Sequence, residues 1–117
     1  MRKQDCYWWE HDHEVLDYYD TTLEVAWVDR SGRQWVARII DQNVYMVGRV
    51  SGDLVRSYLN DEIPVREFYD RKVEEKRRIR FTRHGIDFEE WDQADWEESL
   101  PETNLVYYDK DLTDYGD

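Results

Sequence analysis

Three sets of residues in this chain have types and spacings that could do chemistry. His11-Asp12-His13 offers two imidazoles at i and i+2, with Glu14 and Asp17 close by. On a strand those two positions share a face, so both nitrogens could reach one divalent ion. A metal centre needs further ligands, and no second cluster supplies them. His84, the remaining histidine, stands before Gly85 in a turn signal. The expectation is no metal, with His11 and His13 as polar residues of an N-terminal segment. Cys6, the one cysteine, has only Arg2 and Lys3 as nearby bases, too little to generate a nucleophilic thiolate. Ser31, Ser51 and Ser99 are explained by a turn, a helix cap and a pre-proline position. The five glycines are scattered and build no phosphate loop. With 28 Asp and Glu, an acid/base pair is always within reach, so their abundance discriminates nothing. The expectation is a chain with no catalytic residue and no cofactor, not an enzyme.

The third set is the acidic-aromatic stretch Asp87, Glu89, Glu90, Trp91, Asp92, Asp95, Trp96, Glu97 and Glu98. Clustered carboxylates repel one another, and exposed Trp beside them is disfavoured unless it has something to bury against. A partner with a basic, partly apolar groove answers both needs, with Trp as the anchor. Equally, Trp91 and Trp96 can cap a sheet while the acids face water. Trp8 and Trp9 form a second candidate contact in the N-terminal segment, and the pair suggests that this segment docks on the body or on a partner. These nine residues, within the twelve of 87–98, are the candidate partner-binding site.

Charge along the chain gives these residues a context. The net charge is −12. Residues 1–20 carry two basic and six acidic side chains, and residues 21–70 six and eight. Residues 71–83 reverse the sign with seven basic and two acidic, and residues 84–117 hold one basic against twelve acidic. Direct binding to nucleic acid is thus excluded as a leading reading, because phosphate contact relies on a positive face. The basic strip Arg71, Lys72, Lys76, Arg77, Arg78, Arg80 and Arg83 has three readings. It pairs with the acidic third, meets an acidic partner, or touches nucleic acid; the first is favoured because it offsets the repulsion. A lone cysteine fits a reducing compartment, and no apolar run approaches the roughly 18 residues of a membrane span. The expected location is cytoplasmic.

These residues must be positioned by a single domain, since 117 residues leave little room for a second core. Six Trp, nine Tyr and three Phe supply its interior. Residues 1–13 read as an arm, and residues 15–19 as an apolar cluster. Residues 23–28, 34–40 and 44–49 read as a three-stranded antiparallel meander, with Gly32 closing its first turn. Ser51 caps a helix bearing Leu54, Val55, Tyr58 and Leu59, and Pro64 opens a second with Val65, Phe68 and Tyr69 inward. Residues 78–83 and 86–88 alternate as a second hairpin whose Arg-rich face suits an exposed edge. A short helix precedes Pro101, residues 105–108 suit a last strand, and residues 109–117 read as a frayed acidic tail. The fold class expected is α+β: an antiparallel sheet packed by two short helices.

Glu14 and Tyr18-Tyr19-Asp20, followed by Val25-Ala26-Trp27-Val28-Asp29 and Gln34-Trp35-Val36-Ala37, resemble a small bacterial domain family of unknown function. Thr22 stands where that family usually has proline. The resemblance covers roughly residues 14–70 and implies a meander followed by two short helices. It implies no activity, cofactor or site residue.

The expected function is a small acidic protein-binding module. It would act as an inhibitor, encoded by a phage or mobile element, that mimics DNA on a basic surface of a nucleic-acid-binding protein or nuclease complex. The alternative is an accessory or antitoxin-like subunit assembling through its aromatic surface.

Overall fold

Runs of β-branched and aromatic residues, interrupted by tight polar turns, fold residues 13–90 into one antiparallel sheet of six strands. A computed structural model describes residues 3–101 of the chain. The strands are β1 (His13–Tyr19), β2 (Thr21–Val28), β3 (Gln34–Asp41), β4 (Val44–Arg49), β5 (Glu74–Thr82) and β6 (Gly85–Glu90). They lie side by side in chain order, each antiparallel to the next. Helix α1 (Gly52–Leu59) and the short α2 (Val65–Glu67), which runs on into a π-turn at Phe68–Lys72, connect β4 to β5. Helix α3 (Gln93–Glu98) follows β6. The α+β class with an antiparallel sheet is what the structure shows.

Both faces of the sheet are covered, which is why β4 reads as continuous apolar sequence rather than alternating. One face presents Ala26, Val36 and Met46 to α1, α2 and the π-turn, where Val55, Tyr58, Val65, Phe68 and Tyr69 are buried. The other presents Val25, Trp27, Trp35, Ala37, Tyr45, Val47 and Ile79 to the N-terminal arm, which buries Cys6 and Trp8 against them. The arm, two 3-10 turns at Lys3–Cys6 and Trp8–Glu10, is pinned by Trp27 Nε1 donating to the Asp5 carbonyl at 2.8 Å.

Turn chemistry follows the sequence closely. Gly32 holds φ +85°, and the buried Asp29 carboxylate accepts from Ser31 N, Arg33 N, Arg33 Nε and Trp35 Nε1 at 2.8–3.0 Å. Ser51 accepts from Asp53 N at the start of α1. Gly48 is demanded by packing: a Cβ there would stand 2.2 Å from Val73 Cγ1 and 2.9 Å from the Glu74 carbonyl.

Two expectations are corrected. Residues 15–19 belong to an edge strand: Leu16 is buried, while Val15, Tyr18 and Tyr19 are 43%, 63% and 75% exposed. Two β-bulges, flanking Asp17, break the strict alternation that would have marked it as a strand. The Arg-rich strand is not the exposed edge, because β5 lies between β4 and β6. Of the two docking places open to the N-terminal arm, its Trp8 takes the chain's own sheet, and β1 begins at His13. The expected strand at 105–108 and tail at 109–117 lie outside the described residues. No helix of the described residues is long and apolar enough to cross a membrane.

Candidate functional site

The candidate residues after His84 divide between two elements with opposite electrostatic surroundings. On β6 each carboxylate stands opposite an arginine of β5: Asp87 opposite Arg80, Glu89 opposite Arg78, and Glu90 opposite Arg77. Directly opposed unlike charges favour the pairing of the two strands. The closest contact is Arg78 Nε to Glu89 Oε1 at 2.9 Å, and Trp91 Nε1 donates to the same oxygen at 3.0 Å. These two donors hold the Glu89 carboxyl below its ordinary 4.5, the Arg78 hydrogen bond contributing most.

Register extends this pairing across the sheet. Glu24, Arg38, Met46, Arg78 and Glu89 occupy one cross-strand row from β2 to β6. At its far end Glu24 is fully buried beneath the helices. Its Oε2 accepts from Tyr58 Oη at 2.7 Å and Tyr69 Oη at 2.6 Å, and Oε1 lies 3.7 Å from Arg38 Nη1. Burial alone, the largest single influence, would pull the Arg38 guanidinium down, but Glu24 beside it, together with Tyr69, Tyr58 and Asp17, holds it above the usual arginine range. Burial first, and then the Glu24 charge, push the Tyr69 hydroxyl well up, keeping it a donor.

On α3 the surroundings differ. Asp92 caps the helix by accepting from Asp95 N at 2.9 Å, and Gln93 Nε2 reaches Glu97 at 3.2 Å. Asp92, Asp95, Glu97 and Glu98 are all exposed. Among the described residues no lysine, arginine or histidine forms an ion pair with any of the four. Among the described residues the carboxylates of α3 are therefore displayed without a direct ion-pair partner.

The tryptophans are placed otherwise than an exposed anchor requires. Trp96 is fully buried, donates Nε1–H to the Tyr69 carbonyl at 2.7 Å, and carries Lys76 Nζ 5.4 Å over its ring. It anchors α3 to the body. Trp91 is half-buried, edge-on to Trp96 with ring centroids 6.5 Å apart. Trp8 is 7% exposed and packs among Trp27, Tyr45 and Phe81, whereas Trp9 is 37% exposed. Of the aromatic candidates, Trp9 and part of Trp91 face solvent.

His11 and His13 are engaged by backbone: His11 Nε2 lies 2.9 Å from the Gln4 carbonyl, and His13 Nδ1 lies 3.0 Å from the His11 carbonyl. Among the described residues no group of three or more His, Cys, Asp or Glu is arranged to hold an ion. Cys6 is buried, and burial pushes its thiol up to about 12, far from a reactive thiolate.

The buried Glu24 network is what sequence reading missed. Glu24 alternates with Leu23 and Val25 and so reads as an outward residue of a half-buried strand. The available signal was Ala26 beside it, together with Tyr58 and Tyr69 on the helix faces that must cover this side. No family model, curated protein or solved structure matches the chain, so the likeness of residues 14–70 to a bacterial domain family places the chain in no family.

Proposed function

We propose that this protein is a binding module that occupies a basic surface of a nucleic-acid-handling protein, acting as an inhibitor by presenting carboxylates where DNA phosphates would lie. The observation that carries the proposal is the acidic face of α3, which has no ion-pair partner among the described residues. Asp92, Asp95, Glu97 and Glu98 are exposed on a helix fixed to the body by Trp96, with no cation paired to them among the described residues. A rigidly held set of like charges raises the association rate with a basic groove and loses little entropy on docking. Glu89, Glu90 and Asp87 extend the acidic surface but are already opposed by arginines, so they contribute less. Trp96 acts as the strut beneath the contact, and Trp91 lies at its border.

The test is displacement. Proteins from a bacterial extract are loaded on DNA–cellulose and challenged with this protein. It should release a defined set of DNA-bound proteins at low salt, with release fading as salt rises. The triple variant Asp95→Lys, Glu97→Lys, Glu98→Lys should release none of them. Equal release by the variant, or release indifferent to salt, overturns the proposal.

A second reading, an accessory or antitoxin-like subunit, is favoured by the exposed Val15, Tyr18 and Tyr19 on edge strand β1. It predicts a complex that survives the triple charge reversal and is broken by Tyr18→Ser with Tyr19→Ser.

A further inference from the structure

One cleft stands apart from the charged surface. Its walls are Trp8, Trp9, Tyr45, Phe81 and Ile86, and its rim is Thr21, Thr22 and Asn43. None of these residues is charged, in a chain where 38% of residues are. The larger grooves, by contrast, carry Asp12, Glu14, Arg30 and Arg56, or Asp5, Glu10 and Arg33. The cleft measures about 340 Å³, at the small end of the range for small-molecule sites.

Its aromatic wall is braced. The Trp9 ring stacks on Tyr7 at 4.8 Å and contacts Trp8 and Phe81 at 4.8 and 5.1 Å, so its 37% exposed surface is a fixed platform. The polar rim is fixed through the backbone. Tyr45 Oη donates to the Thr22 carbonyl, and the Asn43 carbonyl accepts from Phe81 N at 2.8 Å. Asn43 itself sits in the left-handed region, φ +61°, which places its exposed carboxamide at the turn between β3 and β4. Among the described residues that carboxamide and the Thr22 hydroxyl have no hydrogen-bond partner in the protein.

The lining selects its ligand. No cation is present to hold an anion. A purely apolar side chain would strip water from Asn43 and Thr22 without replacing those hydrogen bonds, which is unfavourable for each group left unpaired. A ring with an apolar face and hydroxyl edges meets both demands. We propose that this cleft binds one or two units of a neutral carbohydrate, with a pyranose ring stacked on Trp9 and its hydroxyls bonded to Asn43 and Thr22. The proposal is independent of the contact assigned to α3.

The experiment follows the Trp8 and Trp9 indole N–H signals by NMR, both residues lining the cleft, while the full chain is titrated with cellobiose, maltose or di-N-acetylchitobiose at millimolar concentrations. Glucuronate and p-cresol serve as acidic and apolar comparisons. At least one neutral disaccharide should give a saturable shift, and glucuronate none. Trp9→Ala should weaken that binding at least tenfold. Asn43→Gly, which removes the carboxamide while tolerating the positive φ, should weaken it in a chain that remains folded. The α3 triple reversal should leave it unchanged. Absence of a saturable shift with all three disaccharides, saturation by p-cresol alone, or unaltered binding by Asn43→Gly would overturn the proposal.

Discussion

The β5–β6 hairpin and helix α3 draw on the same residue types within thirty residues, yet the fold treats their charges in opposite ways. On the hairpin, register sets Asp87, Glu89 and Glu90 against Arg80, Arg78 and Arg77. On α3, Asp92, Asp95, Glu97 and Glu98 face water with no such counterpart among the described residues. Charge that is matched across a ladder stabilises an edge, while charge displayed on a helix is available to a partner. Composition counts the two alike; topology separates them.

The largest loss of stability is expected at the buried end of the matched row. Glu24→Ala leaves the Arg38 guanidinium and the Tyr58 and Tyr69 hydroxyls without their shared acceptor. Removing one member of a buried charged network costs about 3–5 kcal/mol, read as a lower urea midpoint. Glu24→Gln retains an acceptor oxygen and should lose less. If Glu24→Ala unfolds at the wild-type midpoint, the row is no structural unit.

Trp96→Ala attacks the other side, the display of α3. Loss of a fully buried Trp costs about 3–5 kcal/mol, and here it also deletes the bond to the Tyr69 carbonyl. Where the variant still folds, α3 loses its anchor while the β5–β6 register stays, so partner binding should fall even though every carboxylate is retained. Gly48→Ala works from beneath, forcing Val73 and the Glu74 carbonyl outward.

Reversing Asp95, Glu97 and Glu98 to Lys should weaken partner binding by about 10²-fold while leaving the thermal midpoint unchanged or raised, because like-charge repulsion is relieved. The matching reversal on the hairpin, Asp87→Lys with Glu90→Lys, sets like charges against Arg80 and Arg77. It should lower stability and alter binding less. An inverted result, with the hairpin governing binding and α3 stability, would exchange the roles assigned to the two regions.

The hairpin turn at Gly32, the cap at Ser51, the helix opening at Pro64 and the inward Val65, Phe68 and Tyr69 follow from local rules, and the structure places each as those rules expect. The pairing of the basic strip with the acids was legible as an electrostatic preference, but its register was not. Which Arg meets which Glu depends on a two-residue turn and on alternation shared by both strands. Strand β1 was obscured by its bulges, and the burial of Trp96 by its charged neighbours Asp95 and Glu97. Burial of Glu24 depends on two tyrosines 34 and 45 residues away, a long-range contact no local pattern carries.

The smallest effect isolates the matched pair itself. Glu89 has a folded-state carboxyl held below its ordinary 4.5 by Arg78 and Trp91. A depressed value means the charged form is favoured in the fold, so this contribution to stability is complete above the unfolded value. It is lost as pH falls through the folded one. Arg78→Gln removes the largest cause, and the Glu89 titration midpoint, followed by carboxyl-selective NMR, should move up toward 4.5. Salt should produce a partial version of the same shift in the wild-type chain, since Glu89 is half exposed while Arg78 is mostly covered. A midpoint that stays put in Arg78→Gln would assign the depression to Trp91, and with it the coupling between the hairpin and the start of α3.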